Sequence, residues 1–286
     1  MRIHLLVNQH REDAVAAASA SAAWLAERGI QVGADRDSAP FMDLPVVPVE
    51  TFSECDLVIT FGGDGTLIRA AHLCSERGTP ILGVYYGRFG FVTQCMNEEL
   101  GACLSNFFDG KANIEQRMML QIDLLRNGKS VASIHALNEM VLQREVMVRM
   151  MTFEVIVDGH RLTSYPADGV MVVTPTGSTA YNLSAGGPIL DPHVRALLLT
   201  ALAPHTLSAR PLVLNPASEV LLKVSTEGDA VLSADGQVRL HILSGDEVRV
   251  IQSPRVTNLM TVEKDDFLIK LGSRLFWSQS ILGDLS

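Results

Sequence analysis

Leu57-Val-Ile-Thr60-Phe61-Gly62-Gly63-Asp64-Gly65-Thr66 runs from an apolar, β-branched stretch through three glycines around one aspartate into a segment with helical spacing. The first part has the character of a buried strand. After it, Leu67, Ala71 and Cys74 recur at i, i+4 and i+7, a stripe that would fix a helix to a sheet. Glycines open backbone angles closed to other residues and let main-chain N–H groups approach an anion closely. The helix start that follows adds partial positive charge, so Gly62, Gly63, Gly65 and Thr66 form a credible phosphate cradle. No Lys-Ser/Thr pair follows, which excludes a Walker A loop, and Ile68 stands where a dinucleotide fingerprint needs its third glycine. Turn chemistry alone, with Asp64 or Thr66 as helix cap, accounts for the same residues, so the motif by itself leaves both readings open.

Outward from this corner, strands are expected at 3–7 and 80–84 and helices at 13–28 and 66–77, with Gly29 and Gly78 as their stops. That alternation describes an α/β N-terminal domain, a parallel sheet with flanking helices. From about residue 118 the texture changes to short β-branched runs at 120–125, 131–137, 140–143, 152–157, 170–174, 220–225, 231–233, 239–243 and 247–251. Asn127-Gly128, Asp158-Gly159, Asp235-Gly236 and similar turns separate them, the signature of a β-rich, antiparallel, sandwich-like C-terminal domain. One helical interruption is expected at 194–202. The expected domains are 1–112, 113–265 and a tail, 266–286 with Trp277, packing back on the N-terminal domain.

Composition narrows the classes. With 47% hydrophobic and 19% charged residues in 286, the chain is no disordered polymer. A net charge of −9 with no Lys/Arg run argues against sequence-independent nucleic-acid binding. Cys55, Cys74, Cys95 and Cys103 form no C-x-x-C and read as reduced, packed thiols. The longest apolar stretch, near 196–203, is far short of the ~20 residues a bilayer needs. Met1-Arg-Ile-His-Leu-Leu-Val-Asn8 lacks a signal-peptide pattern, so a cytoplasmic protein without membrane partners is expected.

A second motif, Pro175-Thr176-Gly177-Ser178-Thr179-Ala180-Tyr181-Asn182-Leu183-Ser184-Ala185-Gly186-Gly187-Pro188, crowds hydroxyls, small residues and one aromatic after a strand. Such a loop can lie flat on a ligand, with Tyr181 stacking and Thr179 and Ser184 in polar contact, or serve as a packing turn between sheets. A serine-hydrolase elbow is disfavoured: Asn182 occupies the first glycine of G-x-S-x-G, and Asp191 and His205 follow too closely. Asn138-Glu139 offers a carboxylate beside an amide, the pairing that suits two ribose hydroxyls. Alone that pair is weak, as is Asp168-Gly169, and no cluster has structural-zinc spacing.

In this order the pieces resemble the NAD kinase family. Its pattern is GGDGT, an Asn-Glu pair, then a DG strand leading into TPTGSTAY-x-x-SAGGP, with Ala234-Asp-Gly-Gln237 among the supporting stretches. The resemblance implies ATP-dependent phosphorylation of the 2′-hydroxyl of the adenosine ribose of NAD, giving NADP, with a divalent metal such as Mg²⁺. By the same resemblance Asp64 is the catalytic carboxylate. Gly65, Arg69, Phe91, Asn138, Glu139, Arg149, Asp168, Thr179, Ala180, Tyr181, Asn182, Leu183, Ser184, Ala203 and Gln237 join it at NAD. No metal ligand from the protein is implied. A homodimer or homotetramer is, and polyphosphate stays open as a donor beside ATP. Tyr85-Tyr86 and Pro166 depart from the pattern, the latter removing a cation near Asp168-Gly169. A related kinase acting on a lipid or sugar hydroxyl, and a non-catalytic nucleotide sensor, are the alternatives. The whole reading requires that Asp64 and the strip ending at Ser184 serve one adenylate moiety.

Overall fold

The computed structural model describes residues 1–86, 90–92, 95–145, 151–226, 228–261 and 267–275. Two compact units divide the chain: Met1–Ala70, Thr79–Glu115 and Leu259–Ser286 form the first, Ala71–Gly78 and Gln116–Asn258 the second.

The first unit contains β1 (Arg2–Val7), α1 (Glu12–Ala26), β2 (Gln31–Ala34), β3 (Leu57–Gly62), the start of α2 (Asp64–Cys74), β4 (Ile81–Tyr85) and α3 (Leu100–Phe108). The strands lie in the order β2-β1-β3-β4, all parallel. Every residue of β3 is buried, as befits a central strand covered on both faces. Helix α1 presents Ala14, Ala18, Ala22 and Leu25 inward, a stripe of small residues that seats it close on the sheet. Its chain leaves through Gly29 at φ +72°, where a left-handed residue ends the helix at low cost. Helix α2 starts at Asp64, two residues ahead of the expected start, and buries Leu67, Ala71 and Cys74 as the spacing requires. Helix α3 buries Cys103, whose Sγ lies 3.5 Å from that of Cys95. All four cysteines are buried and unbridged, and burial pushes the Cys55 thiol up to about 11.

The second unit is built from β5 (Asn113–Arg126), β6 (Lys129–Ala136), β7 (Glu139–Arg144), β8 (Met151–Val157), β9 (His160–Ala167), β10 (Gly169–Val173), α4 (Tyr181–Ser184), β11 (Leu197–Leu202), β12 (Leu212–Leu214), β13 (Val220–Ser225), β14 (Ala230–Ala234), β15 (Val238–Ile242) and β16 (Glu247–Thr261). The first residues of β5 and the last of β16 belong to the first unit, as does α5 (Phe267–Arg274). One antiparallel run is β16-β13-β8-β9, with β5 pairing β16 and β6. The other sheet has the order β12-β11-β10-β7-β14-β15, antiparallel throughout. Their apolar faces share one core in which Phe153, Leu222 and Val250 meet Leu142, Val170 and Leu232.

The segment expected as a helix at 194–202 is strand β11, bonded to β10 and β12. Leu197–Leu202 is a short apolar run buried on nearly every residue, and periodicity cannot separate helix from strand when both faces are covered. Strands β2, β9 and β12 and helix α3 carry no strong sequence signal and were not expected. Trp277 lies outside the described residues. Among those described, no helix is long and apolar enough to cross a membrane.

Phe153 is fully buried in the shared core of the second unit. Replacing it with alanine should lower the unfolding free energy by about 3–5 kcal/mol in a denaturant titration. A loss under about 1 kcal/mol would show that this core closes around the gap.

Candidate active site

At the β3–α2 corner the three glycines work differently from the sequence expectation. None of Gly62, Gly63 and Gly65 has a left-handed φ. Gly62 is needed for space, since a Cβ there would come within 2.5 Å of Thr66 Oγ1. Gly63 and Gly65 face open space, leaving bare backbone that an anion could approach. Asp64 is the first residue of α2, and its carboxylate reaches backbone outside that helix. Its Oδ2 accepts from the Phe91 N–H at 2.8 Å and its Oδ1 from the Val92 N–H at 3.3 Å. Gly90 makes this possible: a Cβ there would fall 1.6 Å from Asp64 Oδ1. The carboxylate is thus aimed by a loop. Nearby, Arg69 pairs with buried Asp35 and exposed Asp37, so its charge is already met within the first unit.

In the second unit the Asn-Glu pair and the hydroxyl-rich loop come together. Thr174 Oγ1 donates to Leu137 O at 2.6 Å, and the Thr174 N–H donates to Asn138 O at 2.8 Å. Gly177 presses against the same peptide, where a Cβ would be 2.2 Å from Asn138 O. Asn138 and Glu139 are 6% and 8% exposed, yet Asn138 Oδ1 and Glu139 Oε2 have no protein partner. Burying acceptors without partners is costly, which makes these two adjacent oxygens candidates for contact with a ligand. Burial, and then the nearby Asp235 charge, push the Glu139 carboxyl up to about 8, partly opposed by the Tyr181 N–H. Glu139 is therefore mostly neutral at pH 7 and can donate as well as accept.

The loop itself is stapled from inside. Ser178 Oγ donates to Pro175 O at 2.7 Å and accepts the Leu190 N–H at 3.0 Å. Asn182, fully buried, donates to Ser178 O and Pro188 O and accepts from Thr200 Oγ1. Its side chain is occupied in holding the loop, and Gly187 leaves it room. Tyr181 and Ser184 are exposed, Thr179, Ala180 and Leu183 half-buried. Tyr181, Ser184, Asp168 and Ala203 line one cavity of about 370 Å³ together with Arg144. Ala203 sits there at φ +42°, a backbone position that non-glycine residues rarely hold.

Arg144 was not foreseen, although strand register places it: β7 runs antiparallel to β10, ending beside Asp168. Its Nη2 reaches Asp168 Oδ1 at 2.7 Å, a cation near the Asp-Gly that Pro166 does not supply. Nothing local in the sequence singles out Asp235 or His72, yet Asp235 accepts from the Asn138 and Glu139 N–H groups and His72 Nε2 lies against Asp235 Oδ2. Gln237 is exposed, its N–H closing the β14–β15 turn on Ala234 O. Phe91 is half-buried, and Arg149 lies outside the described residues. Among the described residues no group of three or more His, Cys, Asp or Glu is placed to hold a metal ion.

Residues 43–112 match the family model described as ATP-NAD kinase N-terminal domain, and 137–262 the ATP-NAD kinase C-terminal domain. An NAD kinase of Citrifermentans bemidjiense is 35% identical over 97% of this chain and 99% of its own. A crystal structure of yeast NADH kinase complexed with NADH superposes with a TM-score of 0.90, at 26% identity, covering 100% of this chain and 90% of that one. An NAD kinase from Archaeoglobus fulgidus in complex with ATP gives a TM-score of 0.78 at 22% identity over 96% and 99%, a likeness of fold.

The Glu139 carboxyl loses its proton near 4.5 when unperturbed and near 8 in the folded protein. The folded state holds that proton more tightly, so its contribution to stability falls as pH rises through this window, by at most about 1.4 kcal/mol per unit. Urea unfolding at pH 5 and pH 8 should show a smaller loss in Glu139→Gln than in wild type. Equal losses in the two proteins would mean that Glu139 is ionised throughout.

Proposed function

The chain belongs to the NAD kinase family, an ATP-dependent phosphotransferase acting on NAD, and from that premise we propose the acceptor atom and the residues that serve it. The acceptor is the 2′-hydroxyl of the adenosine ribose. Asn138 and Glu139 receive ribose hydroxyls, Asp168 and the strip Thr179, Ala180, Tyr181, Asn182, Leu183 and Ser184 shape the remaining contacts, and Asp64 orients the hydroxyl that reacts. The observation that carries this reading is the pair of buried, partnerless oxygens on Asn138 and Glu139. A diol supplies what they lack: each hydroxyl both donates and accepts, matching an amide beside a carboxyl.

Phosphoryl transfer passes through a loose transition state, so placement and charge compensation outweigh strong proton abstraction. Asp64 is suited to fix the hydroxyl at about 2.6–3.2 Å and accept its proton late. The bonds from Phe91 and Val92 support this by setting the carboxylate's direction before substrate arrives. The open backbone at Gly63 and Gly65 is proposed to face donor phosphates. Mg²⁺ needs few protein ligands beside substrate phosphates, so a divalent cation is proposed to arrive on the phosphates themselves. A cytoplasmic homo-oligomer is proposed as the working form.

Incubation with ATP, Mg²⁺ and NAD should yield NADP, with Asp64→Asn folded, still binding NAD, and slowed at least about 100-fold in kcat. Turnover at the wild-type rate in that variant would remove Asp64 from the reaction.

A further inference from the structure

Asp235 and Gly236 form the corner between β14 and β15, at φ +51° and +65°. Such a corner is served equally well by Asn-Gly, so turn geometry does not call for a carboxylate. What the corner does not explain is where this carboxylate goes. The side chain is 0% exposed and meets four donors. Its Oδ2 accepts from the Leu137 N–H at 2.7 Å and lies 2.7 Å from His72 Nε2. Its Oδ1 accepts from the Asn138 N–H at 2.8 Å and the Glu139 N–H at 2.9 Å. In return the Asp235 N–H donates to Glu139 O at 3.0 Å.

Three consecutive amides thus converge on one anion, as in a backbone nest, but the anion is the protein's own. The peptide they belong to carries the two side chains whose outer oxygens have no protein partner. Their direction is set by this backbone, by the Gly177 contact on its other side and, for the Glu139 carboxyl, by the Tyr181 N–H. We propose that Asp235, braced by His72, is a positioning residue for the acceptor: it fixes the 137–139 peptide so that Asn138 and Glu139 present their oxygens to a ribose. An asparagine at 235 could accept through one oxygen only, and its NH₂ would face donors. His72 occupies the part of α2 grouped with the second unit, two turns beyond the helix start, and closes the fourth side of the carboxylate.

The inference rests on Asn138 and Glu139 being NAD ligands, and steady-state kinetics with both substrates varied separates the two claims. Asp235→Asn should raise the KM for NAD about tenfold or more, since it breaks charge-assisted bonds. The KM for ATP should stay within about twofold, as expected for an uncoupled site. Asn138→Ala should raise the NAD KM in wild type but add little in the Asp235→Asn background, because both changes remove the same aimed contact. His72→Ala should give a smaller rise that His72→Gln reverses by restoring an N–H donor. A folded Asp235→Asn with wild-type NAD KM, or full additivity with Asn138→Ala, overturns the positioning role. A wild-type NAD KM in Asn138→Ala instead overturns the ligand reading, and the inference with it. If Asp235→Asn does not fold, His72→Ala decides, and an unchanged NAD KM there overturns the proposal.

Discussion

Everything in the second unit's site depends on how closely two backbones approach at Asn138 and Gly177. A side chain of any size at 177 would collide with the Asn138 carbonyl, so the hydroxyl-rich loop can settle only where a hydrogen is the whole substituent. Thr174 then spans the contact with two hydrogen bonds, and Asp235 gathers the amides from the other direction. The strand end at Asn138 is held on every polar atom of its main chain, while its side-chain oxygen is left without a partner inside the protein. Rigid backbone and unsatisfied side chain together describe a preorganised binding surface, in which the cost of ordering is met during folding.

The first unit uses the same economy by other means. Its glycine-flanked corner was legible as a corner, and its apolar stripe along α2 was legible as a packing face, because both depend on local pattern. The part played by each glycine was not. The sequence suggests unusual backbone angles at 62, 63 and 65, whereas the structure calls for missing side chains: at Gly62 beside Thr66, and at Gly90 beside Asp64. Gly90 is far from Asp64 along the chain, and nothing local connects them.

The same division runs through the rest of the molecule. Strands bounded by Asn-Gly and Asp-Gly turns were readable because alternation and turn chemistry agree. Strand β11 was not, since burial on both faces erases the period that tells strand from helix. Within the loop, Asn182 and Ser178 look as polar as Tyr181 and Ser184, and only tertiary structure shows which pair is turned inward to hold the loop's shape. Arg69 and Arg144 look alike as cations; one is met by Asp35 and Asp37, the other stands at the cavity beside Asp168. Motif order identified the family, and register and burial distribute the work among its residues.

A chain of net charge −9 must admit two substrates that are themselves anions. Its long-range field opposes their approach, and each additional ionised carboxylate near the mouth of the pocket steepens that barrier. Burial pushes the Glu139 carboxyl up to about 8, so near pH 7 it adds little to that negative field. Desolvating one carboxyl group thereby trims the negative charge of an acidic protein at a single point, with no lysine spent on it.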